Sequence, residues 1–261
     1  MTHSPSRRQV LLAASATLAA PWLAGPAPAQ QAPVPPAITL PGEITRGEQA
    51  TITRVLSARP VVAMTFDDGP HPSLTPQLLD ILAERQIRAT FYMIGSRIPR
   101  QPELTRRVAA AGHEIGNHTW SHPSLSGLGD AAILSELDRT TQVIFDTVGR
   151  PPVTMRPPYG NLNGRQRLMV FRARNLPTVL WSVDPQDWRR PGAGVVASRI
   201  VTASHPGAVI LAHDIQSGTV SAMPSTLDTL IARGYQFVTV SELIGWPRWD
   251  RRRIRLVTRP A

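Results

Sequence analysis

The chain has 261 residues, 42% of them hydrophobic and 18% charged, which is enough for one well-filled core and short for two full domains. It contains no Cys, which excludes disulfide frameworks and thiolate metal sites and leaves His and carboxylate to hold any metal. All 28 basic residues are Arg, against 18 acidic ones, for a net charge of +10. Such a surface attracts polyanions, acidic cell-wall polymers among them. No Arg run is interleaved with aromatics as a nucleic-acid groove requires, so no nucleic acid is expected.

Arg7-Arg8 precede an apolar stretch over 10–23, and Ala27-Pro28-Ala29 offers small residues where a signal peptidase reads. This is the pattern of an export signal cleaved after Ala29. The paired arginines resemble the twin-arginine type, with Val10 where Phe is usual. The apolar stretch falls short of the roughly 20 residues of a membrane span. The expectation is an exported protein, periplasmic or extracellular, with no transmembrane segment in its mature form and a charge of +8 once Arg7 and Arg8 are removed. Residues 30–57 read as a Pro-rich linker and domain entry, 58–244 as the folded domain, and 245–261 as an Arg-rich tail. Oligomeric state is not fixed by any of these features.

From about residue 60, short apolar runs alternate with helix-like stretches, the signature of βα repetition. The first strand is expected over 61–66, nearly continuous in apolar residues as a strand buried on both faces should be. A helix over 74–85 follows, with Leu78, Leu79 and Leu82 at helical spacing. Then come a strand over 89–94, a helix over 102–111 stopped by Gly112, and a short strand over 114–117. The longest helix is expected over 130–148. A strand over 154–156, a helix over 163–174, a strand over 178–183, a helix over 195–203 and a strand over 208–211 continue the series. A helix over 224–233, a strand over 235–240 and a last helix over 241–244 complete it. About seven strands, with polar residues concentrated where strands end, point to an α/β fold: a distorted (β/α) barrel with its active site at the C-terminal rim. No Gly-rich phosphate cradle follows the first strand, which counts against a nucleotide-binding open sheet.

Asp67-Asp68 closes the first strand and is followed at once by Gly69-Pro70, so a turn holds two carboxylates at the rim. Adjacent carboxylates at such a transition can point apart, one to a cation and one to act as a base. His118-Thr119-Trp120-Ser121-His122 sets two imidazoles four residues apart, close enough on a helical turn to face one metal ion. Two His and one carboxylate form a set used by catalytic zinc and by some iron sites, and a hydrolytic metal fits it better than an oxygenase. Arg156-Pro157-Pro158-Tyr159-Gly160 is a Pro-rich connector whose Arg can pair with a carboxylate. Trp181-Ser182-Val183-Asp184-Pro185-Gln186-Asp187-Trp188 brings two acids and two indoles to another strand end. That composition suits a sugar face or ordinary packing. Leu211-Ala212-His213-Asp214 ends a late strand with a His able to act as an acid.

These five clusters, intact and in order, resemble the motifs of the polysaccharide deacetylases, the carbohydrate esterase group that shares the nodulation-type chitooligosaccharide deacetylase domain. The resemblance covers roughly residues 58 to 244. It implies a distorted (β/α) barrel and a divalent metal, usually zinc, held by Asp68, His118 and His122. It implies Asp67 as general base, oriented by Arg156, and the backbone N–H of Tyr159 against the oxyanion. His213 would protonate the leaving amine, tuned by an acid of the fourth motif, Asp187 in preference to Asp184. Leu211 and a tryptophan, Trp181 or Trp188, would line the acetyl pocket. The expected partner is a carbohydrate: an N-acetylglucosamine polymer or oligomer, of peptidoglycan or chitin type. Acetylxylan or another amide or ester is the alternative substrate. A catalytically inactive sugar-binding barrel is the other alternative, and no eroded motif supports it.

Overall fold

A computed structural model describes residue 1 and residues 51–246. The export signal, most of the 30–57 linker and most of the 245–261 tail lie outside the described residues. No helix among the described residues is long and apolar enough to cross a membrane.

In chain order the elements are β1 (Thr51–Ile52), β2 (Val61–Asp67), α1 (Leu74–Glu84), β3 (Thr90–Met93), α2 (Pro102–Ala110), β4 (Glu114–Asn117) and α3 (Asp130–Val148). They continue with α4 (Gly164–Arg174), β5 (Thr178–Val179), α5 (Ala193–Ala203), β6 (Ala208–Ile210), α6 (Ser217–Ala232), β7 (Gln236–Phe237) and α7 (Val240–Leu243). All strand ladders are parallel. The main sheet runs β4-β3-β2-β6, with β7 on the first residues of β2, while β1 pairs β5. Single-residue parallel bridges carry the pairing onward: Asn117 to Met155, Met155 to Thr178, and Val183 to Ile210. Together these features give the α/β barrel expected from the alternation, distorted because so much of the pairing is by single bridges.

β2 shows why the site lies where it does. All seven residues are buried, and successive side chains face opposite sides. Val62, Met64 and Phe66 pack outward against Leu78, Leu79 and Leu82 of α1 and the other surrounding helices. Val61 and Ala63 point the other way, into a cluster with Val179, Val209, Val240 and Leu243. The next two residues on that inner face are Thr65 and Asp67, so the interior turns from apolar to polar toward the C-terminal end of the strand.

Several element bounds differ from the periodicity, each for a physical reason. The expected strand over 154–156 is reduced to two isolated bridges at Met155, since Pro151-Pro152 and Pro157-Pro158 remove ladder donors on both sides. The strand over 178–183 breaks after Val179 because its partner changes: Leu180 N–H donates to Ile52 O, whereas Ser182 N–H donates to Val209 O. The last strand stops at Phe237 because Thr239 and Glu242 form a reciprocal capping box that starts α7 at Val240. Helix α6 begins seven residues before Pro224, burying Thr219, Val220, Ala222 and Met223; this burial outweighs the hydrogen bond that the internal Pro removes. Thr51–Ile52, a stretch that composition assigns to the linker, pairs β5. Val55 N–H then donates to Gly207 O, and a side chain on Gly207 would meet Val55 O at 1.8 Å.

Candidate active site

β2 delivers Asp67 to the rim with 3% exposure. Asp68 then adopts φ 75°, a left-handed conformation costing a residue with a side chain ~1–2 kcal/mol. The turn is held from several sides. Asp68 N–H donates to Tyr92 O, Ile94 N–H to Gly69 O, and an Arg97 Nη1–H to Asp68 O at 2.8 Å. Gly69 has no side chain where one would collide with the buried Asp214 carboxyl, 2.4 Å from Oδ2.

The two histidines leave β4 on an irregular loop, not on the helical turn that their spacing suggests. Thr119 (φ 64°) and His122 (φ 62°) are both left-handed, and the Thr119 hydroxyl accepts the His122 N–H. The reversals bring the rings together, with His118 Nε2 3.3 Å and His122 Nε2 3.1 Å from the same oxygen, Asp68 Oδ1. His118 Nδ1 lies 2.7 Å from Arg156 O. A carbonyl only accepts, so Nδ1 carries the proton and Nε2 of the neutral ring is a lone pair facing a carboxylate oxygen. That contact is repulsive unless a cation or a further proton stands between. Asp68 Oδ1 is buried and receives no hydrogen bond, and one ligand atom from each of Asp68, His118 and His122 falls within 4.8 Å of the others. The donor set and its orphaned oxygen fit a divalent metal. Burial pushes the Asp68 carboxyl up; in the metal-free site the hydrogen bonds of His118 and His122 when protonated, with the positive charges of His118 and His213, outweigh it and hold the carboxyl well below the usual carboxylate range.

Asp67 faces the same center from the other side. Its Oδ1 accepts from Arg156 Nη1 at 2.7 Å, while Oδ2 lies 3.8 Å from His118 Nε2. Arg156 is wholly buried, stacked 4.3 Å over the Tyr92 ring and 5.7 Å from Trp181. Across the rim, His213 Nδ1 donates to Asp187 Oδ1 at 2.8 Å and its backbone N–H to Asp187 Oδ2 at 2.7 Å. Burial works against a charge on His213; the Asp187 hydrogen bond and the charges of Asp187, Asp67 and Asp68 outweigh it and raise the pKa to about 9. Of the two fourth-motif acids it is therefore Asp187 that meets His213. Asp184 is exposed and its carboxylate accepts the Gln186 N–H instead.

Tyr159 is left-handed (φ 60°) and exposed, with its ring edge-on to His122 at 4.8 Å. Leu211 is buried and Trp181 half-buried, its indole against Gly160. Trp188 stands half exposed beside Asp187. Two further residues reach the site without any sequence signal, Arg97 through the Asp68 carbonyl and Thr219 donating to Asp187 Oδ2 at 2.6 Å; Asp214, which the sequence sets directly after His213, joins them. Asp214 is fully buried, accepts from the Thr75 hydroxyl, and has its other oxygen unpartnered. Burial, with the charges of Asp68 and Asp67, raises its pKa to about 7 against the Thr75 hydrogen bond and His213.

Residues 56–175 match the family model for polysaccharide deacetylase. The chain is 39% identical over 184 residues to a peptidoglycan-N-acetylglucosamine deacetylase of Listeria monocytogenes, covering 70% of this chain and 39% of that longer protein. A peptidoglycan-N-acetylglucosamine deacetylase of Bacillus cereus is also 39% identical, and here the match covers 70% of this chain and 88% of the relative. Among solved structures, the Bc1960 peptidoglycan N-acetylglucosamine deacetylase superposes with a TM-score of 0.75 at 31% identity, over 78% of this chain and 96% of that one. With the barrel, the paired rim carboxylates and the two-histidine loop in place, these matches show that the chain belongs to the polysaccharide deacetylase family.

Proposed function

We propose that this chain is an exported hydrolase that removes N-acetyl groups from N-acetylglucosamine-containing polysaccharide or oligosaccharide, of peptidoglycan or chitin type. It would use a divalent cation held by Asp68, His118 and His122, with zinc the first choice for two imidazoles and a carboxylate. The observation that carries this reading is the buried Asp68 Oδ1, free of any hydrogen bond and faced by two imidazole nitrogens. A cation there supplies Lewis acidity, lowering the pKa of water and polarizing an acyl oxygen.

The remaining steps are assigned to the chain's own groups. Asp67, fixed at Oδ1 by Arg156, takes the proton of the attacking water on Oδ2. The Tyr159 backbone N–H is assigned to the developing oxyanion. His213, charged through its bond to Asp187, gives its proton to the leaving amine, so that acetate and a free amino sugar result. Leu211 and Trp181 wall the methyl group, and the half-exposed Trp188 offers a face to the sugar ring. An export signal over 1–29 would deliver the enzyme to the periplasm or beyond, where such polymers lie; N-terminal sequencing of secreted protein starting at Gln30 supports this step, and an intact Met1 sinks it. The central test is acetate release from peptidoglycan, chitooligosaccharides and acetylxylan. Release from the first two, lost with chelator and restored by zinc, is expected. Chelator-resistant release, or release from acetylxylan alone, would overturn the proposal.

A further inference from the structure

The loop between the two metal-facing imidazoles carries two left-handed residues, Thr119 and His122, neither of them glycine. Such a loop keeps its shape only where its surroundings over-determine it, and here one face of α3 does so. Glu136 Oε2 accepts the backbone N–H groups of Trp120 at 2.9 Å and Ser121 at 2.8 Å, and its Oε1 accepts the Ser121 hydroxyl at 3.0 Å. The Arg139 guanidinium lies 4.3 Å over the Trp120 ring. Leu137 O accepts from Asn117 Nδ2, whose Oδ1 in turn accepts the Thr119 N–H. Three donors from one loop thus converge on a single carboxylate, and backbone N–H groups bonded to a carboxylate are among the stronger hydrogen bonds of a fold.

We propose that Glu136 is a positioning residue of the metal center: by clamping Trp120 and Ser121 it holds His122 against His118 and Asp68 and so sets the affinity for the cation. The inference rests on reading Asp68, His118 and His122 as cation ligands. Glu136 touches the loop backbone and the Ser121 hydroxyl and none of the ligand atoms, so it acts only through where the loop is held.

The test uses metal-free protein and zinc, with the dissociation constant read by competition against a chromogenic chelator well below the melting midpoint. Glu136→Ala is expected to weaken zinc binding about 10- to 100-fold, and Glu136→Gln, whose amide oxygen can accept both backbone N–H groups, to stay within about threefold of wild type. An Ala variant that binds zinc as tightly as wild type would overturn the proposal, as would a Gln variant as weak as Ala. If the Ala variant does not fold, Glu136→Asp, which withdraws the carboxylate by one methylene, is expected to lose about threefold to tenfold; wild-type affinity in it would be equally fatal. The ligand reading fails separately, if the wild type binds no zinc or if His118→Ala binds it as tightly as wild type.

Discussion

Replacing Arg156 by Met keeps most of the stem volume and removes the charge. The wild-type guanidinium is wholly buried and gives four hydrogen bonds. Nη1 donates to Thr65 Oγ1 and Asp67 Oδ1, both at 2.7 Å, Nε to Val179 O at 3.1 Å, and Nη2 to Leu180 O at 3.0 Å. Asp67 is only 3% exposed, so its carboxylate loses its hydrogen-bonded counter-ion in the interior. Breaking a buried pair in this way costs about 3–5 kcal/mol, which for a domain of this size lowers the melting midpoint by about 6–20 °C. Adding Asp67→Asn removes the stranded charge, and the double variant should regain at least ~1 kcal/mol over Arg156→Met alone. Thermal and urea unfolding of the metal-free proteins measures both quantities. An Arg156→Met protein within ~1 kcal/mol of wild type, or a double variant no more stable than the single one, would refute the account of Arg156 as the counter-ion that makes a buried Asp67 tolerable.

Three further outcomes follow from the rim. His213 has a folded-state pKa raised from 6.5 to about 9, so its contribution to stability is complete below 6.5 and is lost as pH rises through about 9. Stability of the metal-free protein should therefore fall across that window, and Asp187→Asn should flatten the slope; an equally steep profile in the variant speaks against the pairing. For Asp214 the unfolded chain releases its proton near 3.8 but the folded chain only near 7, so ionization works against the fold between those values. Asp214→Asn, which keeps an acceptor for Thr75, should gain on wild type in melts as pH rises from about 4 to about 7, and a constant gap between the two would contradict this. Gly69→Ala drives a methyl to 2.4 Å from Asp214 Oδ2, an overpacking that costs about 1–3 kcal/mol. Calorimetry should show Asp214→Ala relieving part of that cost, and simple additivity of the two losses would exclude the clash.

What was legible in the sequence was whatever repeats or clusters along the chain. The buried first strand follows from its continuous apolar run, α3 from apolar spacing and α4 from its place in the strand–helix alternation, and their observed bounds lie within a residue or so of expectation. Elements that depend on a distant partner were not legible. Thr51–Ile52 is a strand only because β5 lies beside it, and Met155 pairs only through isolated bridges, to Asn117 and to Thr178, between prolines. The two-histidine loop shows the same limit at the site. Spacing identified the residues, but a four-residue interval fits a helical turn as well as a loop with two left-handed residues, and only the fold distinguishes them.

The candidate site residues could be named from the sequence while their supports could not, and the reason is chemical. Asp68, Thr119, His122 and Tyr159 all have positive φ and lie at the rim, each a conformation of about 1–3 kcal/mol that persists only where neighbors enforce it. Side chains that meet a substrate or cation must be of particular chemical types, and such types stand out in short motifs. A support needs only a donor or acceptor at the right place, and here Arg97, Glu136 and Thr219 reach their partners across 29, 15 and 32 residues of chain. Arg, Glu and Thr at such positions look like ordinary surface residues in the sequence. A variant series confined to the motifs would therefore attribute to the proposed ligands and the proposed base an energy that is partly held in these three contacts, and activity and metal affinity should both respond to changes well outside the motifs.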